Sequence, residues 1–306
     1  MMMTSALMSA SLAAMLSLTP PVVSKPPVVP RTTPKHALAT QTLYVANSLT
    51  SSVTLYPAGV NDPAPIATIT SGISQPSSLW VDGSGTLYVA NKTGGPNSAG
   101  SVTEYKSGQT TPFLTITDGV FHPGGVAVDA SGTLYVAQAQ NAPPEVIAYP
   151  AGSTHPHGRI QLTNIGGIFF AGGMNFDASG NLYVGFFLYR HLPARVIELA
   201  PGLKSKRDLH LQRLDGVDTN PDFTRDSAGN LYFGTSAPNI YVYHAGSRHP
   251  FRSMPVEVTG QITTDSAGNL YVPTGFLGVD VYAPGSNTPF ATVSQGTSDP
   301  SATFVH

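Results

Sequence analysis

The sequence predicts an all-β protein: a six-bladed β-propeller of four-stranded antiparallel blades, with the ring closed by the C-terminal strand in the first blade. Three observations carry this expectation. The phrase DGSGTLYV (82–89) returns as DASGTLYV (129–136), DASGNLYV (177–184), DSAGNLYF (226–233) and DSAGNLYV (265–272), with a shortened copy, TLYV, at 42–45. Its tyrosines, Tyr44, Tyr88, Tyr135, Tyr183, Tyr232 and Tyr271, lie 44, 47, 48, 49 and 39 residues apart, the period of a propeller repeat. Gly (31) and Pro (27) are abundant and cysteine is absent, as suits a turn-dense β protein held without disulfides or thiolate metal sites.

Taken in order, residues 1–18 are read as a possible signal peptide. SALMSASLAAMLSL (5–18) has the length and small apolar character of a signal core, although no Lys or Arg precedes it. It is too short and too rich in Ser and Ala for a membrane span. Residues 19–40 open with TPPVVSKPPVVPRTTP, a Pro-rich extended linker. Leader and linker together imply export to the periplasm, cell envelope or exterior. The propeller is expected over 41–306.

Each repeat supplies four strand signals. The first is Pro-led, as in PSSLWVD (76–82) and PGGVAVD (123–129). The Asp-x-Ser/Ala-Gly turn follows, its Gly providing the positive φ of a short hairpin and its Asp bonding the turn backbone. LYV is the second strand. The third ends in VTLYPAG (53–59), VTEYKSG (102–108), VIAYPAG (146–152), VIELAPG (196–202), IYVYHAG (240–246) or VDVYAPG (279–285), and the fourth is of the type PFLTIT (112–117). DPSATFVH (299–306) aligns with QPSSLWVD (75–82) but has no LYV after it. It is therefore expected to supply the missing innermost strand of the first blade and to cover an open edge. KHALATQ (35–41) is the weaker candidate for that place.

This order puts the blade-to-blade loops and the loops after LYV on one face, and the regular turns on the other. Sites are expected on the first, variable face or in the channel mouth. There, GFFLYRHLPAR (185–195) gathers Phe186, Phe187, Tyr189, Arg190 and His191, an aromatic and cationic set of the kind recognition surfaces use; the two Phe could equally plug the next blade. A second candidate is the channel mouth. Asp222 and Arg225 replace the small or apolar residues of sibling inner strands, Asn175 stands where Ala127 stands, and His122 opens the strand HPGGVAVD. Asp222 and Arg225 are expected to face a wet channel or each other as a partly buried pair. Asp218, Asn220, Asp222 and Asn175 could offer oxygens to a divalent cation such as calcium. The Asp and Asn of the repeated turns offer too few oxygens for such an ion.

By the phrase P-x-x-hydrophobic-x-V-D-x-S/A-G-N/T-L-Y-V, the chain over roughly 40–306 resembles the NHL-repeat and SMP-30/gluconolactonase-like six-bladed propellers. That resemblance implies the propeller fold and, for the lactonase branch, one divalent ion held in the channel by a carboxylate, an Asn and an Asp. Asn175 and Asp222 match the latter two, but PSATFVH, which should bring the carboxylate, has no acid.

Fifteen basic against seventeen acidic residues, with no basic stripe, argue against nucleic acid as a partner. No G-x-S-x-G elbow or phosphate-cradling loop occurs. The expectation is a monomeric, exported scaffold without a cofactor, binding a protein, peptide or glycan on its variable face. The alternatives are a metal-assisted hydrolase or lyase working through His122, Asn175, Asp222 and Arg225, and a module that serves as spacer alone.

Overall fold

A computed structural model describes residues 41–138, 144–162, 169–188, 194–212, 222–235, 238–276 and 278–306. Six four-stranded sheets form a ring. Their innermost strands are Pro300–Val305, Pro76–Val81, Pro123–Val128, Phe169–Phe176, Asp222–Arg225 and Thr263–Thr264, for blades one to six. The second strands carry the LYV phrase: Thr42–Asn47, Leu87–Asn91, Leu134–Gln138, Leu182–Leu188, Leu231–Thr235 and Leu270–Thr274. Third strands are Ser52–Pro57, Ser101–Tyr105, Glu145–Tyr149, Arg195–Leu199, Asn239–Tyr243 and Gly278–Tyr282. Outer strands are Ala67–Ile69, Leu114–Ile116, Gly158–Gln161, Lys206–Asp208, Pro250–Met254 and Pro289–Val293. The only helical pieces among the described residues are two short 3-10 turns, at Pro96–Ser98 and Pro201–Leu203.

The ring closes as the sequence places it. Leu43 pairs with Val305, Tyr44 with Phe304 and Val45 with Thr303, antiparallel, so the last strand covers the inner edge of the first LYV strand.

The repeated phrase folds the same way in blades two to six because its Asp does several jobs at once. In blade two, Asp82 Oδ1 accepts the backbone N–H of Ser84 (2.8 Å) and Thr86 (3.0 Å), while Oδ2 accepts the Tyr88 hydroxyl (3.1 Å). Tyr135, Tyr183, Tyr232 and Tyr271 donate likewise to Asp129, Asp177, Asp226 and Asp265. The six-residue Asp-to-Tyr spacing therefore locks turn and strand together. It also leaves these carboxylates fully occupied, with Gly85 at φ +80° completing the turn.

The core is divided among the blade interfaces. Val45, Val89, Val136, Val184 and Val272 are fully buried, and six apolar clusters each join one blade to the next. A second tyrosine series straps the blades together. Tyr56, Tyr105, Tyr149 and Tyr243, at the ends of third strands, donate to the carbonyls of Gln295 (2.6 Å), Ser71 (2.7 Å), Asp118 (2.8 Å) and Gln212 (2.6 Å) of the preceding blade. Leu199 occupies that place in blade four, which so lacks the strap.

Candidate functional site

The inner strands approach one another closely at the level of Ser78, Gly125, Gly173, Asp222, Gln261 and Ala302. A Cβ on Gly125 would stand 2.5 Å from the Gly172 carbonyl oxygen, and one on Gly173 only 2.1 Å from Asp222 Oδ1. Glycine is therefore required where these backbones pass.

Gln261 braces this level. Its backbone is tied to blade one through Ser301 (3.0 Å) and Thr303 (2.9 Å). Its side-chain amide then reaches blade two, accepting from Leu79 N–H (2.9 Å) and Ser78 Oγ (2.8 Å) and donating to the Leu79 carbonyl (3.0 Å). Ser78 Oγ in turn accepts Val126 N–H of blade three (3.1 Å). A buried side-chain amide thus imitates a strand partner and links four inner strands. Deeper toward the regular turns, Trp80 lies against Phe176 (5.9 Å, edge-on) and Phe304 (5.1 Å), filling the ring on that side with aromatic rings.

Asp222 is buried, its Oδ1 accepting the N–H of Phe223 (2.8 Å), with a further backbone bond from Gly173. Burial pushes its carboxyl well above the usual carboxylate range, against the pull of those two bonds. Asn175 lies two residues beyond Gly173 on its strand, about 7 Å further along. His122 opens its strand at φ +44°, its ring edge-on to Phe121 at 4.6 Å, half-buried at the variable face. Among the described residues no three His, Asp or Glu gather as a metal site, and Asp218 and Asn220 lie outside them.

Arg225 corrects one expectation. It does not pair with Asp222; its guanidinium lies over the Tyr183 ring at 4.4 Å, with Nη1 4.0 Å from Asp177 Oδ2. The reason is strand geometry: residues three apart point to opposite faces.

Phe186 is corrected as well. It is only 2% exposed and packs in the cluster joining blades three and four, so it belongs to the core and not to an exposed surface. Tyr189, Arg190 and His191 lie outside the described residues, and Phe187 is described only as part of its strand.

On the variable face lies a set of buried amides that the reading of the sequence missed. Asn47, Asn91 and Gln138 end their LYV strands and accept the N–H of Ser298 (2.8 Å), Ser74 (2.9 Å) and Phe121 (2.8 Å), pinning each incoming blade link. Their recurrence in TLYVAN, LYVAN and LYVAQ was the available signal. Beside them the loops after the LYV strands carry exposed apolar side chains. Leu49 is 77% and Phe276 74% exposed, in loops of the neighbouring blades one and six. Asp299 holds both loops: its carbonyl accepts Ser48 N–H (3.0 Å), its N–H donates to the Phe276 carbonyl (2.8 Å), and its carboxylate accepts the Ser48 hydroxyl.

No family model matches the chain, and no curated protein matches it in sequence. Among solved structures the fold is widely shared, with 884 matching chains, so the match speaks for architecture and not for activity. One such structure, a candidate 6-phosphogluconolactonase from Bacteroides uniformis, superposes with a TM-score of 0.54 at 13% identity, covering 84% of this chain and 83% of that one. The molecule is a six-bladed β-propeller. Among the described residues no helix is long and apolar enough to cross a membrane.

Proposed function

We propose that the protein is an exported propeller scaffold, akin to NHL-type propellers, that binds a protein, peptide or glycan on its variable face. The observation that carries this is the pair Leu49 and Phe276, exposed yet held by loops that converge on Asp299. Large apolar side chains fixed in water cost solvation unless a ligand covers them, and a rigid backbone lowers the entropy lost on binding. The leader and Pro-rich tether would present this face outside the cytoplasm, and a monomer needs no cofactor for the task.

The test is binding to immobilised peptide and glycan libraries. Wild-type protein should capture a ligand that Leu49→Asp and Phe276→Asp each weaken at least about tenfold, while both variants keep the wild-type melting temperature. A ligand captured equally well by both variants would place binding elsewhere and overturn the assignment.

A metal-assisted lactonase remains the alternative, favoured by the solved neighbour's description. Its cation would need Asp222, whose carboxyl is instead committed to two backbone N–H groups and pushed toward the neutral form. Stoichiometric divalent metal in the purified protein, lost in Asp222→Asn, would establish it over the scaffold.

A further inference from the structure

A cleft of about 340 Å³ opens between blades four and five, on the face of the regular turns and away from the variable face. It is lined by Tyr183, Arg207, His210, Arg225, Gly229 and Arg248, among others. Three of the chain's fifteen Lys and Arg residues therefore converge on one small concavity, in a protein with few charges overall.

The carboxylates nearby are largely committed. Asp208, which also lines the cleft, pairs with Arg195 at 2.7 Å and accepts the His210 backbone N–H at 2.8 Å. Glu198 accepts from both Arg207 and the Tyr183 hydroxyl. Asp177 accepts from Ser179, Asn181 and Tyr183 in its own turn, and lies 4.0 Å from Arg225, at the limit of an ion pair. Arg225 itself is unusual. It comes from an inner strand where siblings carry Val81 and Val128, its side chain is only 13% exposed, and its Nε is buried without a hydrogen-bond partner. Among the described residues Arg248 is exposed and makes no ion pair. A nearly buried guanidinium without a bidentate acceptor is costly, and a planar fork over an aromatic ring is arranged for an oxyanion. The cleft's volume suits a ligand the size of one sugar ring.

We propose that this cleft is a binding site for the oxyanion of a sugar-sized molecule, a carboxylate or a phosphate, gripped by Arg225 and Arg248 with Tyr183 beneath. The ligand enters from the turn face, so the site works independently of the variable face. Gly229 and Gly246 border it with no side chain to obstruct entry.

The experiment is calorimetric titration of the full chain with glucuronate, glucose 6-phosphate and neutral glucose. At least one of the two anions should bind about tenfold or more tightly than glucose, and the better of them tells whether a carboxylate or a phosphate is preferred. Arg225→Met and Arg248→Ala should each weaken that anion about tenfold, and added salt should weaken it in the wild type. Because Arg225 is nearly buried, the exposed Arg248 keeps the test open if Arg225→Met does not fold. Equal affinity for glucose and both anions, or anion affinity unchanged in Arg248→Ala, would overturn the proposal.

Discussion

Glu104 should make the protein less stable as pH rises through neutrality. It sits on the third strand of blade two, 4% exposed and paired across the sheet with Tyr88. Its counterpart in blade four, Glu198, is matched by Arg207, whereas Glu104 meets only burial and the charge of Asp82. Burial first, and Asp82 second, lift its carboxyl from 4.5 to about 7. The folded protein therefore keeps this proton where the unfolded chain has released it. Stability from this group is full below about pH 4.5, falls as pH rises through about 7, and stays low beyond. A displacement of that size corresponds to roughly 3 kcal/mol, which residual solvent contact reduces to about 2 kcal/mol.

Glu104→Gln keeps the shape and removes the charge. It should leave stability unchanged near pH 4.5 and raise it by about 2 kcal/mol near pH 8.5. Urea unfolding followed by fluorescence of the single tryptophan, Trp80, reads both, since its ring sits between Phe176 and Phe304 in the folded ring. A variant no more stable than wild type near pH 8.5, or one stabilised equally at both pH values, would refute the account of Glu104 as a buried, uncompensated acid.

Gln261→Ala should cost about 2–4 kcal/mol in urea melts, because Leu79 N–H and C=O, both inside the ring, lose their partner together. Gly125→Ala should lower the melting temperature by several degrees or prevent folding, since its methyl would meet the Gly172 carbonyl at 2.5 Å. Tyr149→Phe removes one strap to the Asp118 carbonyl and should cost about 1 kcal/mol; the same assay should find Leu199→Ala costly through lost core volume, at about 2–4 kcal/mol.

Much of the fold is legible because each blade repeats the same solution. Asp and Tyr six apart in every full phrase mark a turn and strand that bond to each other, and the unpaired DPSATFVH can only complete the blade that lacks an inner strand. Side chains that cross between blades are harder to read. Gln261 lies in TGQITTD, and nothing local says that its amide will take the place of a strand partner two blades away. Arg225 is a different case. Its spacing of three from Asp222 already places the two on opposite faces of a strand, so the pleat itself keeps them from pairing. Phe186 shows the opposite limit: it stands at the strand position held by the buried Asn47, Asn91 and Gln138 in sibling blades, so the repeat itself, and not the loop beside it, decides that it is buried.

The union of Thr42–Asn47 with Pro300–Val305 also governs how the molecule comes into being. The strand that finishes blade one follows all five other blades in sequence, so during synthesis the first sheet waits, with one side uncovered, until those blades have emerged. Pairing across so long a sequence separation favours slow closure. This strand serves both interfaces of blade one, with Val305 packed toward blade six and Ala302 toward blade two, so until it docks both stay loose and a bare strand edge is open to a neighbouring copy. Docking of this six-residue strand thus settles two interfaces in one event.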